Sequence, residues 1–161
     1  MSADGPRFVI HRHDASSLHF DVRLEIGGVL VSWAVPKGPS TDPRQRRLAE
    51  RTDDHPLDYA DYEGRIEEGR YGAGTVIVWD TGTYDNLSEE PVADALADGH
   101  VKVWLHGRKL DGGYLLQRTR LGGDERSWLM VKLDDEGADR RRNPAVTEPG
   151  SVLSGRRNED L

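Results

Sequence analysis

Three of the six histidines fall between residues 11 and 19. From Leu18 to Ile26 the apolar residues Leu18, Phe20, Val22, Leu24 and Ile26 alternate with His19, Asp21, Arg23 and Glu25, the pattern of a half-buried strand. His19 and Asp21 therefore share a face with Cα atoms about 6.6 Å apart, close enough for an imidazole and a carboxylate to converge on one cation. His13, six residues earlier, can supply a third ligand from the start of this strand or the turn before it. A His-His-Asp set leaves coordination positions open for water and substrate, and its nitrogen and oxygen donors suit Mn, Zn, Co or Fe. The same His-x-Asp pattern also suits an ordinary polar strand face, and alternation alone does not choose between the two. His11, related to His13 by i to i+2, is assigned no role.

Arg23 continues the His19/Asp21 face. Its guanidinium fork suits a phosphate, because it donates two parallel hydrogen bonds and stays charged; the alternative is a cross-strand ion pair. Asp53-Asp54-His55-Pro56-Leu57-Asp58-Tyr59 places a histidine and a tyrosine in a proline-containing connection. His55 titrates near neutrality and so fits a general acid or a phosphate ligand, or simply a solvated loop histidine. Arg44-Gln-Arg-Arg47 is the dense basic cluster of the first half, readable as a phosphate-contact patch or a solvated face. The glycine-rich run from Glu68 to Thr75 matches neither the P-loop nor the dinucleotide fingerprint and reads as a tight entry to the strand that follows.

The elements that must position these groups read as strands. Candidates are Arg7–Ile10, Leu18–Ile26, Val29–Val35, Arg47–Arg51, Tyr59–Ile66, Gly74–Asp80, Val101–Leu105, Tyr114–Thr119 and Trp128–Leu133, with Gly27-Gly28 as a tight hairpin turn. One short helix is expected at Val92–Asp98, stopped by Gly99. Many short strands with turn signals predict an all-β domain, closed or sandwiched. The expected division is a flexible N-terminus over residues 1–6, a barrel over 7–133, and a charged, less ordered C-terminal segment of the same domain over 134–161, where apolar residues are few. The tryptophans sit at or near strand positions and are expected mostly in the core.

The chain has 161 residues, with 22 Lys and Arg against 29 Asp and Glu, a formal net charge of −7. That balance argues against a broadly basic nucleic-acid surface, so any polyanion site must be local. There is no cysteine, which excludes disulfides and thiolate metal sites. No signal peptide or membrane-spanning run is evident, and a cytoplasmic location with no membrane partner is the expectation.

The ordered string His13-Asp-Ala-x-x-Leu-His19-Phe-Asp21-Val-Arg23-Leu-Glu25, Ser32-Trp-Ala-Val-Pro-Lys-Gly-Pro39, Asp54-His-Pro-Leu-Asp-Tyr59 and Gly69-x-Tyr-Gly-Ala-Gly-Thr-Val76 resembles the 3′-phosphoesterase domain of bacterial DNA ligase D and its free-standing relatives. The run from Ser151 to Arg156 resembles the end of the same domain. The resemblance implies a β-barrel that heals DNA 3′ ends for non-homologous end joining: removal of a terminal ribonucleotide leaves a 3′-phosphate, whose removal exposes the 3′-OH. It implies a divalent metal, typically Mn²⁺ with Co²⁺ or Zn²⁺ as alternatives, on His13, His19 and Asp21. Arg23, Arg47, His55 and Tyr59 match residues serving the phosphate or the chemistry. Lys37 and Asp53 join Arg47 and His55 as substrate-binding positions. Phe20 stands where tyrosine is common and Asp53 where glutamate is usual. Only six residues precede Arg7, whereas ligase-fused versions carry a longer N-terminal arm, which favours the phosphatase step over the ribonuclease step. Separate ligase, polymerase and end-binding proteins are the implied partners. Two other readings stand beside this one: a non-catalytic module that binds 3′ ends or docks onto a repair complex, and a phosphoesterase acting on RNA or a small phosphate ester.

Overall fold

The period-two alternation becomes a barrel wall. In the computed structural model, which describes residues 5–67, 69, 73–119 and 125–161, strand β1 (Arg7–Asp14) leads to β2 (Leu18–Ile26), β3 (Val29–Val35) and β4 (Arg46–His55). Gly27 and Gly28 both take positive φ, 63° and 85°, the conformation a two-residue hairpin demands and glycine adopts without steric cost. Next come β5 (Gly64–Ile66), the long β6 (Gly74–Asn86), helix α1 (Val92–Asp98), β7 (His100–His106), β8 (Asp111–Arg118) and β9 (Ser127–Lys132). The sheet order is β1-β2-β3-β4-β9-β8-β7-β6-β5, and β1 also pairs with β6. That last pairing closes eight antiparallel strands into a barrel, with β5 added outside on β6. Closure removes the exposed sheet edges that an open sheet would present.

Phe8, Ile10, Phe20, Val22, Leu24, Trp33, Trp79, Tyr84, Tyr114, Trp128 and Met130 fill the interior. Three of the four tryptophans are in this core, with Trp33 edge-on to Trp128 at 5.4 Å and Phe20 edge-on to Trp79 at 5.3 Å. At residue 20 the ring lies wholly within this apolar contact, so a tyrosine hydroxyl is not needed there. A second, smaller cluster of Val9, Leu30, Ala60 and Val78 lies apart from the main core, with Tyr59 and Val152 packed against it. Strand β2 is buried at Asp21 and Arg23 as well as at its core-facing residues.

The strand expected over Tyr59–Ile66 is two things. Residues Leu57–Asp61 form a 3-10 turn following Pro56, with Tyr59 N donating to Pro56 O, and only Gly64–Ile66 joins the sheet. Helix α1 and its glycine stop are as expected, with Gly99 at φ 77°. The C-terminal segment expected to be less ordered carries no strand among the described residues. Residues 134–161 include a further helical turn, α2 (Pro144–Thr147), and a 3-10 turn at Asn158–Asp160, and they are strapped along the barrel. Thr41 Oγ1 donates to Asp139 O and Arg142 O, Trp79 Nε1 to Glu148 O, and Val152 N to Val78 O. Asn158 is 1% exposed; its side chain donates to Arg12 O, Thr75 O and Thr75 Oγ1 and accepts from Arg12. Polar satisfaction replaces the apolar burial whose scarcity suggested disorder. Replacing Asn158 with Leu leaves these backbone and side-chain partners unpaired in a buried place, at a cost of about 2–3 kcal/mol. Faster trypsin cleavage around Arg156 and Arg157, read by mass spectrometry, is the expected sign that the strap has loosened. The N-terminal expectation falls largely on residues 1–4, and part of the glycine-rich run on 68 and 70–72, outside the described residues.

Candidate metal and phosphate site

The site is assembled by strand register on the face of β1–β4 that points away from the barrel core. His13 pairs with His19 and His11 with Asp21 across β1–β2; Asp21 pairs with Ala34 and Arg23 with Ser32 across β2–β3; Ser32 pairs with Thr52 and Ala34 with Glu50 across β3–β4. Small side chains at Ala15, Ser16, Ala34 and Thr52 leave a hollow of about 380 Å³, which His13, His19, Asp21, Arg23, Asp53, His55 and Tyr59 also line. Seven of the nine residues singled out from the sequence thus meet in one cavity.

The ligand atoms of His13, His19 and Asp21 lie within 4.8 Å of one another. His13 Nδ1 is 3.5 Å from Asp21 Oδ2 and His19 Nε2 is 3.3 Å from Asp21 Oδ1. His19 Nδ1 lies 3.0 Å from the Ser17 carbonyl, which can only accept. Nδ1 must therefore carry the proton, so in the neutral ring Nε2 presents a lone pair to the carboxylate. Two lone-pair atoms facing each other at this distance call for a proton or a cation between them. The hydrogen bond with Asp21 raises the His19 pKa. At Asp21 burial opposes ionisation, but hydrogen bonds from His13 and His19 and the charge of Arg23 outweigh it and hold the carboxyl below its usual range. An ionised carboxylate with two imidazoles, one oriented by a backbone carbonyl, fits a divalent cation and its outer-shell support.

Arg23 sits beneath this cluster, 3% exposed, and is shared among several neighbours. Nε donates to His11 Nδ1 at 3.0 Å and NH1 to Ser32 Oγ at 2.9 Å; NH1 is also 3.1 Å from His55 Nδ1, and NH2 is 3.3 Å from Asp21 Oδ2. The guanidinium carbon lies 5.1 Å from the Tyr59 ring centre. With Nε and NH1 committed inward, little of the fork is left for a bidentate phosphate contact. Its ion pair is made along its own strand, not across to a neighbour.

His55 Nδ1 faces both Arg23 NH1 and the Asp53 carbonyl, the latter at 3.0 Å. One partner can only donate and the other can only accept, so each ring tautomer satisfies one of them. Burial and then the Arg23 charge lower the His55 pKa, which disfavours the imidazolium expected of a general acid. Tyr59 stacks on His55 at 5.0 Å and on Tyr62 at 5.2 Å. Burial raises its phenol pKa, so it is a neutral donor.

Asp53 reaches His55 through its backbone, while its exposed carboxylate pairs with Arg126 at 3.5 Å. The glutamate-to-aspartate departure therefore leaves the carbonyl contact to His55 intact. Arg47 and Lys37 are not brought to the cavity wall. Arg47 pairs with Met130 and lies two residues from buried Ala49, so alternation sends it towards the barrel interior, opposite Glu50 and Thr52. Lys37 is exposed in the turn after β3. Sequence reasoning missed His11, Ser32, Glu50 and Thr52. The last two share the register of Ala34 and Ser32, a signal readable only once the β3–β4 pairing is known.

A closed antiparallel barrel that carries a His-His-Asp cluster and an Arg-His-Tyr group in one hollow defines a β-barrel protein with a metal-type site on its outer wall. A family model described as the DNA Ligase D 3'-phosphoesterase domain matches residues 11–118, and the chain belongs to this family. It is 49% identical over 152 residues, 93% of this chain, to the multifunctional non-homologous end joining protein LigD of Pseudomonas aeruginosa. It is 48% identical over 84% of its length to the multifunctional non-homologous end joining DNA repair protein LigD of Mycobacterium tuberculosis, and 38% identical over 94% to that of Mycolicibacterium smegmatis. The chain spans 18%, 17% and 20% of these relatives respectively.

Proposed function

We propose that the protein is a metal-dependent phosphoesterase that heals DNA 3′ ends in repair by non-homologous end joining, removing a terminal 3′-phosphate and, upstream of that, a terminal ribonucleotide. The observation that carries this reading is the convergence of His13, His19 and Asp21 with Arg23, His55 and Tyr59 on one 380 Å³ hollow. His13, His19 and Asp21 would hold a divalent cation, Mn²⁺ foremost, which when bound polarises a phosphoryl oxygen and lowers the pKa of water.

In monoester hydrolysis a water oxygen bonds to phosphorus as the bond from phosphorus to O3′ breaks. A neutral His55 whose Nδ1–H is held by the Asp53 carbonyl keeps a lone pair on Nε2 and accepts the proton of that water. The departing 3′ oxygen, on the opposite side of phosphorus, takes its proton from solvent, and His55 releases the proton it accepted to solvent, so the ring ends neutral. Buried Arg23 lends its charge to the phosphoryl group through the low-dielectric wall and holds Asp21 ionised. Tyr59 supports His55 by stacking and offers a neutral hydroxyl. A small cationic pocket of this kind is compatible with a chain of net charge −7.

Beyond Thr52 and Asp53, which line both, a neighbouring hollow is walled by Arg51, Arg118, Arg126 and Trp128 together with the carboxylates of Asp54 and Glu125. It offers the strand leading to the 3′ end a path for its phosphates. Arg126→Glu is expected to raise KM about tenfold for a 3′-phosphorylated oligonucleotide and to leave thymidine 3′-monophosphate turnover unchanged. Steady-state kinetics on both substrates check this.

The deciding experiment incubates the protein with labelled primer–template ending in a 3′-phosphate or a single 3′-ribonucleotide, with Mn²⁺ and then with chelator. Metal-dependent phosphate release is the expected result. Tight DNA binding with no release on any 3′-phosphate substrate would replace this reading with that of a binding module. Ligase and polymerase activities are the partners the proposal calls for.

A further inference from the structure

His11 is 0% exposed on β1, between its partners β2 and β6, at the register position opposite Asp21. Its Nδ1 accepts the Arg23 Nε–H at 3.0 Å, so the neutral ring must carry its proton on Nε2. That Nε2 is buried and makes no hydrogen bond; the Tyr62 backbone carbonyl lies towards it without reaching bonding geometry. The ring also packs 5.0 Å from Tyr59. A fully buried histidine left half-satisfied runs against the rule that buried polar atoms are paired, so one good hydrogen bond is what the site retains it for.

Arg23 has rotational freedom about its long stem, and which of its nitrogens meets Asp21 and which meets His55 depends on how Nε is held. A second carboxylate in place of His11 would hold Nε but add an anion beside Asp21. A neutral acceptor holds it without changing the charge of the cluster. Ser32 works in the same sense on NH1, since its hydroxyl proton is given to Leu30 O and its lone pair is left for Arg23.

We infer that His11 is a positioning residue that fixes the Arg23 guanidinium through the Nε–H to Nδ1 hydrogen bond, and so sets the placement of Arg23 against Asp21 and His55. The activity consequence rests on the phosphoesterase reading; the hydrogen bond itself does not. Two variants separate positioning from packing: His11→Gln keeps a neutral acceptor, and His11→Leu keeps bulk without one.

In ¹⁵N-labelled wild-type protein the Arg23 Nε resonance is expected to show a scalar coupling to an imidazole nitrogen across the hydrogen bond and slow exchange of its proton with water. His11→Gln should keep the slow exchange and stay within about threefold of wild-type kcat on a 3′-phosphorylated oligonucleotide. His11→Leu should lose the protection and about twentyfold or more in kcat with KM little changed. Absence of the coupling in wild type overturns the inference even if His11→Leu does not fold. Equal loss of kcat in both variants, or full kcat in His11→Leu, also overturns it. A wild type that shows the coupling but releases no phosphate leaves the positioning intact and instead sinks the phosphoesterase reading.

Discussion

His19→Ala is expected to reduce Mn²⁺-dependent phosphate release roughly a thousandfold, a loss of about 4 kcal/mol of transition-state stabilisation, while leaving the barrel folded. The His19 side chain is 22% exposed and its partners are Ser17 O and Asp21, so its removal opens no core cavity. Asp21→Asn should lose as much activity and also destabilise the fold. Asp21 is the carboxylate beside buried Arg23, and removing one member of a buried pair costs about 3–5 kcal/mol because the other charge is left uncompensated. Comparing kcat and urea stability of the two variants separates the ligand role they share from the structural role only Asp21 has. Release that persists undiminished in both would remove the cation site from the mechanism.

The proton and the cation compete for the same nitrogen. Because the pKa of His19 is raised in the folded, metal-free protein, its protonated form stabilises that state at pH values below its unfolded pKa. This contribution fades as pH rises through the folded value. Metal binding needs the neutral ring. The increase in Tm on adding Mn²⁺ should therefore grow as pH is raised through the His19 titration and shrink below it, and EDTA should abolish the difference. A metal-induced shift independent of pH would mean that His19 is not a ligand.

Legibility of the site in the sequence follows the length scale of each signal. His19, Asp21 and Arg23 are visible because alternation along a single strand puts them on one face; His13 is visible only as a nearby histidine, since it lies on β1, which runs past the expected Ile10 to Asp14 and pairs it with His19. His55 and Tyr59 are visible as a proline-bounded string, but not the 3-10 turn that stacks them: period-two reasoning has no term for a tyrosine ring lying on a histidine. The place of His11 is set by Arg23 and Asp21 on β2 and by Tyr59 in the 3-10 turn, and no spacing rule finds it. Arg47 enters through the basic cluster Arg44–Arg47 and the family resemblance, and its parity with Ala49 turns it away from the cavity. How the C-terminal segment is held is hidden from the sequence for a different reason. Composition measures the apolar area a segment can bury, whereas Asn158, Thr41 and Trp79 hold this one through hydrogen bonds to main-chain atoms.

The same blind spot covers Asp80, whose expected effect on stability is large. It is 0% exposed on β6, and its carboxylate accepts backbone N–H groups from Thr81 at 3.0 Å, Arg108 at 2.8 Å, Lys109 at 3.2 Å and Leu110 at 2.9 Å. Burial raises its pKa against the pull of these four donors. Three of the donors belong to the turn joining β7 to β8, so this side chain fixes the geometry of that hairpin, which lies outside the hollow lined by His13, His19 and Asp21. Asp80→Ala strands the donors together, and at about 1–3 kcal/mol for each one left dry, with water reaching some of them, the expected loss is about 4 kcal/mol. For a chain of this length that lowers Tm by roughly 10 °C. Asp80→Asn should fall between, because its amide oxygen still accepts while its NH₂ confronts a donor on the other side. Calorimetry of the three proteins checks the order. Below the transition all three should hydrolyse a 3′-phosphate with the same kcat, since Asp80 acts on the hairpin and not on the hollow where His13, His19 and Asp21 meet. A carboxylate whose loss lowered kcat at temperatures where the protein is fully folded would instead belong to the reaction, and the division of roles between Asp80 and Asp21 would have to be redrawn.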